Sequence, residues 1–327
     1  MSSVLLNSKD IKAQALRLGF VACGFAKAEA VANDFAIRYR RWLELDFCGE
    51  MDYMRRNVEM RLNPDLLVPG VKTIVSLAMN FMPQHQQPAI SLYAQGKDYH
   101  EVMKQRMQEL MQTCELEGRC FVDTAPVMER YWAWKSGIGI ITKAGFISIP
   151  GYGPTVFLGE LFLTQEADQY DEPRPSRPTP NPSRPTPSPS LVGRGEDTTG
   201  RLYTPLPTRE GLGVGLVGLC PALTPEGLDA RRCISYMTIE HRGPLPDDIR
   251  LGRTFYGCDR CLRATPEFAE AKPTEEPAFQ PSEALLQMTP HDWQHLTEEQ
   301  YRSLFKGSAV KRAKYDGLMR NIRRWLE

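Results

Sequence analysis

Hydrophobic positions along the first half of the chain follow two periods. TIVSLAMNF (73–81) and TVFLGELFLT (155–164) are near-continuous apolar runs of strand length, and FVACGFA (20–26) is a shorter one. All three read as buried strands. Tyr99 to Glu115 repeats its apolar residues at helical spacing, residues 28–45 read as another helix, and Met51–Asn57 as a short one. Ser8 can cap a helix that runs to Leu18 and stops at Gly19. Pro69-Gly70 is a turn. Phe121-Val122 ends a strand at Asp123, and Pro126 stands where the first turn of a following helix would accept it. Mixed helices and strands make residues 1–170 one α+β unit.

The pattern breaks at Pro173. Of the eighteen residues from 173 to 190, eight are proline, and PSRPTP occurs at 175–180 and again at 182–187. A Ser/Gly-rich stretch and then TREGLGVGLVGL follow. Such sequence has too little apolar surface to build a core, so 171–219 reads as a low-complexity insert, extended or disordered. A PxxP ligand is the other reading of the same run.

Ordered patterning returns at Cys220, with one segment over 220–270 and a helical one over 271–327. Thr289-Pro290-His291-Asp292 has the form of a capping box with proline in the first turn. His291 and His295 stand four apart, as in a zinc-binding helix, but no third ligand is evident and a polar capped helix is the simpler reading. The last helix begins near Ser308. From Lys306 to Glu327 there are seven basic and two acidic residues. A solvated helix face accounts for this, and so does a phosphate-contacting face built from Lys311, Arg312, Arg320, Arg323 and Arg324.

These local features sit in a chain of 327 residues with 40 Lys plus Arg and 40 Asp plus Glu. The length suits about two domains. Zero net charge excludes a globally basic histone-like binder and an acidic solvating tail. No stretch approaches the roughly 18 apolar residues of a membrane span, and the first residues, MSSVLLNSKDIK, lack a signal pattern. Eight cysteines in such a chain point to a reducing compartment, the cytoplasm. Cys23, Cys48, Cys114 and Cys120 are scattered among apolar neighbours and read as buried free thiols.

The other four cysteines form a pattern. Two-cluster ferredoxins repeat C-x2-C-x2-C-x3-C-P, and the fourth cysteine of each repeat ligates the other cluster. Cys220-Pro221 has the form of the end of one repeat. Cys258-x2-Cys261 is part of a second, with Cys233 as a further thiol upstream. Thr265-Pro266 stands where that second repeat would have Cys-Pro. Cys220, Cys233, Cys258 and Cys261 thus make one complete ligand set, and the missing thiols make the other. A structural zinc site with four thiolates is the rival reading. Cys-Pro favours iron–sulfur.

Several runs together resemble the epoxyqueuosine reductase family of queuosine tRNA modification. They are GEMDYMRRN (49–57), RLNPDLLVPGVKTIVSLAMNF (61–81), YAQGKDYH (93–100), FVDTAPVMER (121–130), FLGELF (157–162), LDARRCISYMTIEHRGPLP (228–246) and YGCDRC (256–261), with the C-terminal LTEEQYRSLFKGSAVKRAKYDGLMRNI. The resemblance implies an α+β fold: a nitroreductase-like cobalamin-binding domain, then a bacterial-ferredoxin-like iron–sulfur module and C-terminal helices. It implies reduction of the tRNA epoxide to queuosine, with electrons reaching cobalamin through two [4Fe–4S] clusters. It makes Asp123 the proton donor, a role that suits a carboxyl whose pKa is raised by burial. Arg56, Asp98, Tyr99 and His100 lie in matching runs and become candidates to line the cobalamin site.

The sequence departs from the family in two places. GIGIITKAG (137–145) stands where the family resembles GLGWxGKN, with Ile140, Thr142 and Ala144 in place of Trp, Gly and Asn. Lys143 there is a candidate cobalamin contact. A nucleotide-binding loop is excluded, because G-x4-G-K-[ST] would need Gly at 142 and Ser or Thr at 144. The second departure is the first cluster motif, replaced by the insert and by Thr265. One cluster is therefore expected. Three functions follow: an active reductase working as a monomer with tRNA and an electron donor, a non-catalytic tRNA- or cobalamin-binding descendant, and a zinc-stapled tRNA-binding protein.

Overall fold

In a computed structural model, which describes residues 5–175 and 220–327, the apolar runs become one sheet. Its strands are β1 (Ala22–Lys27), β2 (Thr73–Asn80), β3 (Gly118–Phe121) and β6 (Val156–Leu163). A small hairpin of β4 (Ile140–Ile141) and β5 (Ile147–Ser148) precedes β6. The order is β1-β2-β6-β3, antiparallel throughout. Every residue of β2 is buried, as its continuous apolar run requires of a central strand covered on both faces.

The helices of this unit are α1 (Ser8–Arg17), α2 (Asn33–Glu44), α3 (Val58–Leu62), α4 (Pro64–Leu67), α5 (Tyr99–Thr113) and α6 (Glu129–Lys135). The pleat sends Val75, Leu77, Met79 and Leu161 to one face, against Ile11 and Ala15 of α1 and Met103, Met107 and Leu110 of α5. Ile74 and Phe162 point to the other face, against Tyr131 and Trp132 of α6. Fully burying a side chain of this kind contributes roughly 1.5–3 kcal/mol. The end of α6 lies so close to β1 that a Cβ at Gly24 would stand 2.1 Å from the Ser136 carbonyl oxygen.

Three boundaries differ from the sequence expectation. Asn7, not Ser8, caps α1, accepting the Asp10 N–H at 3.2 Å. Helix α2 begins only at Asn33. Helix α6 begins at Glu129 rather than Pro126, because Asp123 takes a left-handed conformation (φ 52°) and tight turns follow it. The chain stays pinned to this unit through Arg174. Asp171 accepts from Lys12 at 2.6 Å and from the Phe25 N–H at 2.8 Å, and Arg174 donates to the Gly137 carbonyl. The rest of the expected insert, 176–219, lies outside the described residues.

The second half comprises the hairpin β7 (Leu223–Thr224) and β8 (Gly227–Leu228), then α7 (Ile234–Ile239) and α8 (Arg260–Arg263). Four C-terminal helices follow: α9 (Glu283–Leu286), α10 (Pro290–Gln294), α11 (Glu298–Leu304) and α12 (Lys314–Leu326). The capping box at Thr289 and Asp292 is present, and a second joins Thr297 to Gln300. Trp293, Phe305, Leu318 and Ile322 of this segment share a core with Ala89, Ile90 and Ala94 of the first half. Leu262 and Phe279 join the core under the sheet. The halves therefore pack into one another. Among the described residues no helix is long and apolar enough to cross a membrane.

Candidate active site

A cavity of about 840 Å³ opens between the sheet and the cysteine-bearing segments. Arg56, Tyr99 and Asp123 lie on its walls, as do Cys220, Cys233, Cys258 and Cys261. Residues spread over more than two hundred positions thus face one space. Its volume is in the upper part of the roughly 300–1,000 Å³ range of ligand and cofactor sites.

Asp123 is held from α5. Asp98 caps that helix, accepting the His100 N–H at 3.1 Å, and its Oδ1 lies 2.7 Å from His100 Nδ1. His100 Nε2 in turn stands 3.7 Å from Asp123 Oδ2. The Tyr99 hydroxyl donates to the same oxygen at 2.5 Å, while its ring stacks on Phe157 at 4.2 Å. Asp98 and His100 thus lie one layer behind the cavity wall. Burial would lower the His100 pKa, but the Asp123 and Asp98 carboxylates outweigh it and push the ring up to about 9. Burial pushes the Asp123 pKa up, yet the partners His100 and Tyr99 prevail and the carboxyl sits below its usual value. The side chain keeps 60% of its exposure, toward the cavity. The expectation of a carboxyl kept protonated by burial is therefore reversed at Asp123.

Burial does raise two other carboxyls that sequence reasoning passed over. Glu129 opens α6 and accepts the Asp123 backbone N–H at 2.7 Å. Burial, then the Asp123 charge, raise it to about 8. Glu160 of β6 is fully buried, and neither of its oxygens has a hydrogen-bond partner. Burial raises its pKa far above the carboxylate range, with Glu129 and Asp123 adding to the effect. The signal was present in FLGELF, where an acid interrupts a run that otherwise reads as buried strand.

The four thiols have a different environment. Cys233 immediately precedes α7, without a side-chain capping bond, and Cys261 lies in α8. Burial raises the pKa values of Cys233, Cys258 and Cys261, and neighbouring cysteines push each higher, while backbone N–H groups pointed at the sulfurs act in the opposite sense. Buried thiols crowded near one another, with N–H donors aimed at sulfur, lose their protons readily only to a bound cationic group such as a polynuclear cluster. No three His, Cys, Asp or Glu side chains among the described residues are drawn together as ligands of one ion. A cubane binds each cysteine at a different iron, so its ligands need not converge on one point. Thr265 is buried, and its hydroxyl donates to the Leu262 carbonyl at 2.7 Å. The remaining cysteines, 23, 48, 114 and 120, are free; Cys48 is buried and the others are half-buried.

Other candidates fall elsewhere. Lys143 is exposed in the β4–β5 turn and is not on the cavity wall, whereas Ala144 and Phe146 are. Thr142 closes that turn, its hydroxyl accepting the Phe146 N–H at 3.1 Å. His295 Nδ1 meets the His291 carbonyl at 2.8 Å, as in a polar capped helix. Of the basic C-terminal residues, Arg312 pairs with Glu240 at 2.8 Å. Arg320 donates to the carbonyls of Met237, His241 and Gly243, and Arg324 to those of Pro246, Asp247 and Ile249. These two clamp α12 onto α7 and the segment after it, so their cations are engaged in holding the fold. Lys311 and Arg323 are exposed.

The family model described as "Epoxyqueuosine reductase QueG, DUF1730" matches residues 61–124, which end within this site. The epoxyqueuosine reductase of Cellulophaga algicola is 34% identical over 336 residues, spanning 97% of this chain and 99% of the relative. This chain belongs to the epoxyqueuosine reductase family. It is an oxidoreductase of that family. The Escherichia coli epoxyqueuosine reductase is 31% identical, over 96% of this chain and 79% of its own length. A crystal structure of an epoxyqueuosine reductase with an epoxyqueuosine-modified tRNA-Tyr stem loop superposes with a TM-score of 0.77 at 22% identity. It covers 97% of this chain and 80% of that one, and it establishes the shared fold. The α+β architecture expected from the sequence is that of this family.

Proposed function

We propose that this chain reduces the epoxide of epoxyqueuosine in a tRNA anticodon loop to the alkene of queuosine. The observation that carries the reading is Asp123, held by Tyr99 beside His100, on the wall of a cavity that four cysteines also line. Proton-handling and electron-handling groups thus face one substrate-sized space. The reaction takes two electrons and two protons, breaks both C–O bonds, forms a carbon–carbon double bond and releases the oxygen as water.

Cobalamin suits the cavity, with Arg56 and Tyr99 among the residues that would hold it. A [4Fe–4S] cluster suits Cys220, Cys233, Cys258 and Cys261. When bound, the two supply low-potential electrons. The chain's own work is to orient the epoxide, exclude water and carry protons. Asp123 delivers them at the epoxide oxygen, with Tyr99 fixing its carboxylate and His100, protonated at neutral pH, resupplying it. Exposed Lys311 and Arg323 suit tRNA phosphates. The free thiols fit a cytoplasmic protein served by an electron donor, and nothing in the reaction requires more than a monomer. The chain divides into units 1–170, 220–270 and 271–327 around the insert 171–219, and the cores of these units interlock.

The test is conversion of epoxyqueuosine-containing tRNA by anaerobically reconstituted protein. Conversion, lost in Asp123→Asn, is expected. A second reading, a tRNA- or cobalamin-binding descendant without turnover, is favoured by one observation. Thr265, in the position of a first-cluster ligand, is buried and bonded to Leu262. Tight tRNA binding without conversion would establish that reading instead.

A further inference from the structure

The reaction consumes two protons, yet Asp123 is itself an ionised carboxylate with one donor partner at Tyr99 and one protonated neighbour at His100. A second set of acidic groups lies near Asp123. Glu129 is in direct hydrogen-bond contact with the Asp123 backbone. Glu160 lies on the sheet face that α6 covers, because the pleat places it with Phe162, Ile74 and Ala78. Its cross-strand partner on β2 is Ser76, whose hydroxyl is also buried without a partner. On β3 it faces Phe121, two residues before Asp123. Three unsatisfied, buried side-chain oxygens thus sit on β6, which pairs with the strand leading into the loop that carries the proton donor, and on β2 beside it. Unpaired buried carboxylates are strongly disfavoured, so such groups hold protons.

We propose that Glu129, backed by Glu160 and Ser76, is a proton store that feeds Asp123 during turnover. This rests on the epoxide-reduction reading. Glu129 Oε1 accepts the Asp123 N–H, which leaves Oε2 to carry the transferable proton. Glu129 passes that proton to the Asp123 carboxylate, Asp123 passes it to the departing oxygen, and Glu129 takes another from the Glu160 side. The charged groups that face this store are Asp123 from the β3–α6 loop, Arg130 from α6, Arg61 from α3 and Glu160 from β6. Tyr99, His100 and Asp98 face Asp123 from α5. Glu129 acts through Asp123 and is a positioning and proton-supplying residue.

The experiment compares the reconstituted full chain with Glu129→Gln, Glu129→Ala and Glu160→Gln. Glutamine keeps an acceptor for the Asp123 N–H and cannot pass a carboxyl proton. Glu129→Gln is expected to lower kcat about tenfold or more with little change in KM for the tRNA. It should also remove the alkaline fall near pH 8, leaving the later one of His100 near 9. Parent-like kcat with an unmoved profile overturns the proposal. So does full activity in Glu129→Gln beside loss in Glu129→Ala, which marks a loop anchor alone. Infrared titration of the cofactor-free chain gives a readout independent of turnover. A protonated-carboxyl band at neutral pH that disappears in Glu129→Gln, and a second that disappears in Glu160→Gln, are expected. Absence of both overturns the store. Failure of the parent chain to convert tRNA would count against epoxide reduction, and the infrared bands would still decide the store.

Discussion

The Tyr99 hydroxyl and Asp123 Oδ2 are 2.5 Å apart, and the tyrosine ring that makes this bond is stacked on Phe157. The stack fixes the donor, and the donor fixes the carboxylate in a left-handed loop. Tyr99→Phe keeps the stack and removes only the hydrogen bond. It is expected to raise the Asp123 pKa and lower kcat about tenfold, while Asp123→Asn lowers it by roughly 10²–10⁴. Steady-state conversion of the modified tRNA measures both.

Stability should fall as the solution becomes alkaline. His100 is raised to about 9 and Glu129 to about 8, so in both the folded state binds its proton more tightly than the unfolded chain does. Such groups favour folding at lower pH and lose that contribution as pH rises through the folded value. Asp123 and Asp98, both lowered, act in the opposite sense at acid pH. The melting temperature of the cofactor-free chain is expected to decline from about pH 6.5 to 9, less steeply in His100→Gln. Thermal scans across that range measure it.

Anaerobic reconstitution should yield about four irons per chain, since one cubane takes four cysteine ligands. Thr265→Cys alone should leave that number unchanged, because one added thiolate cannot hold a second four-cysteine cubane. Iron and sulfide analysis of both chains checks this. About eight irons, or one zinc per chain, would refute it.

Arginines on the last helix should separate by role. Arg320→Ala removes a cation bonded to three backbone carbonyls and should destabilise the fold by about 2 kcal/mol. Lys311→Ala with Arg323→Ala should leave stability near the parent, weaken tRNA binding and reduce its salt slope by about two. Denaturation curves and salt-dependent binding distinguish the two sets.

Strand positions, the long α5 helix, the capping box at Thr289 and the family were legible in the residues, because hydrophobic period, capping chemistry and short motifs are local properties. The four late cysteines were legible as a spaced pattern for the same reason, and the fold brings them to one cavity. What each charge does was not legible. Arg320 and Arg323 are three residues apart and look alike in sequence, yet one is bonded to carbonyls of a distant segment and the other is exposed. Asp123 and Glu129 are acids six residues apart, and only their tertiary neighbours push one pKa down and the other up. A side chain's protonation and partners depend on desolvation and on charges brought close by folding, and neither is encoded by spacing along the chain.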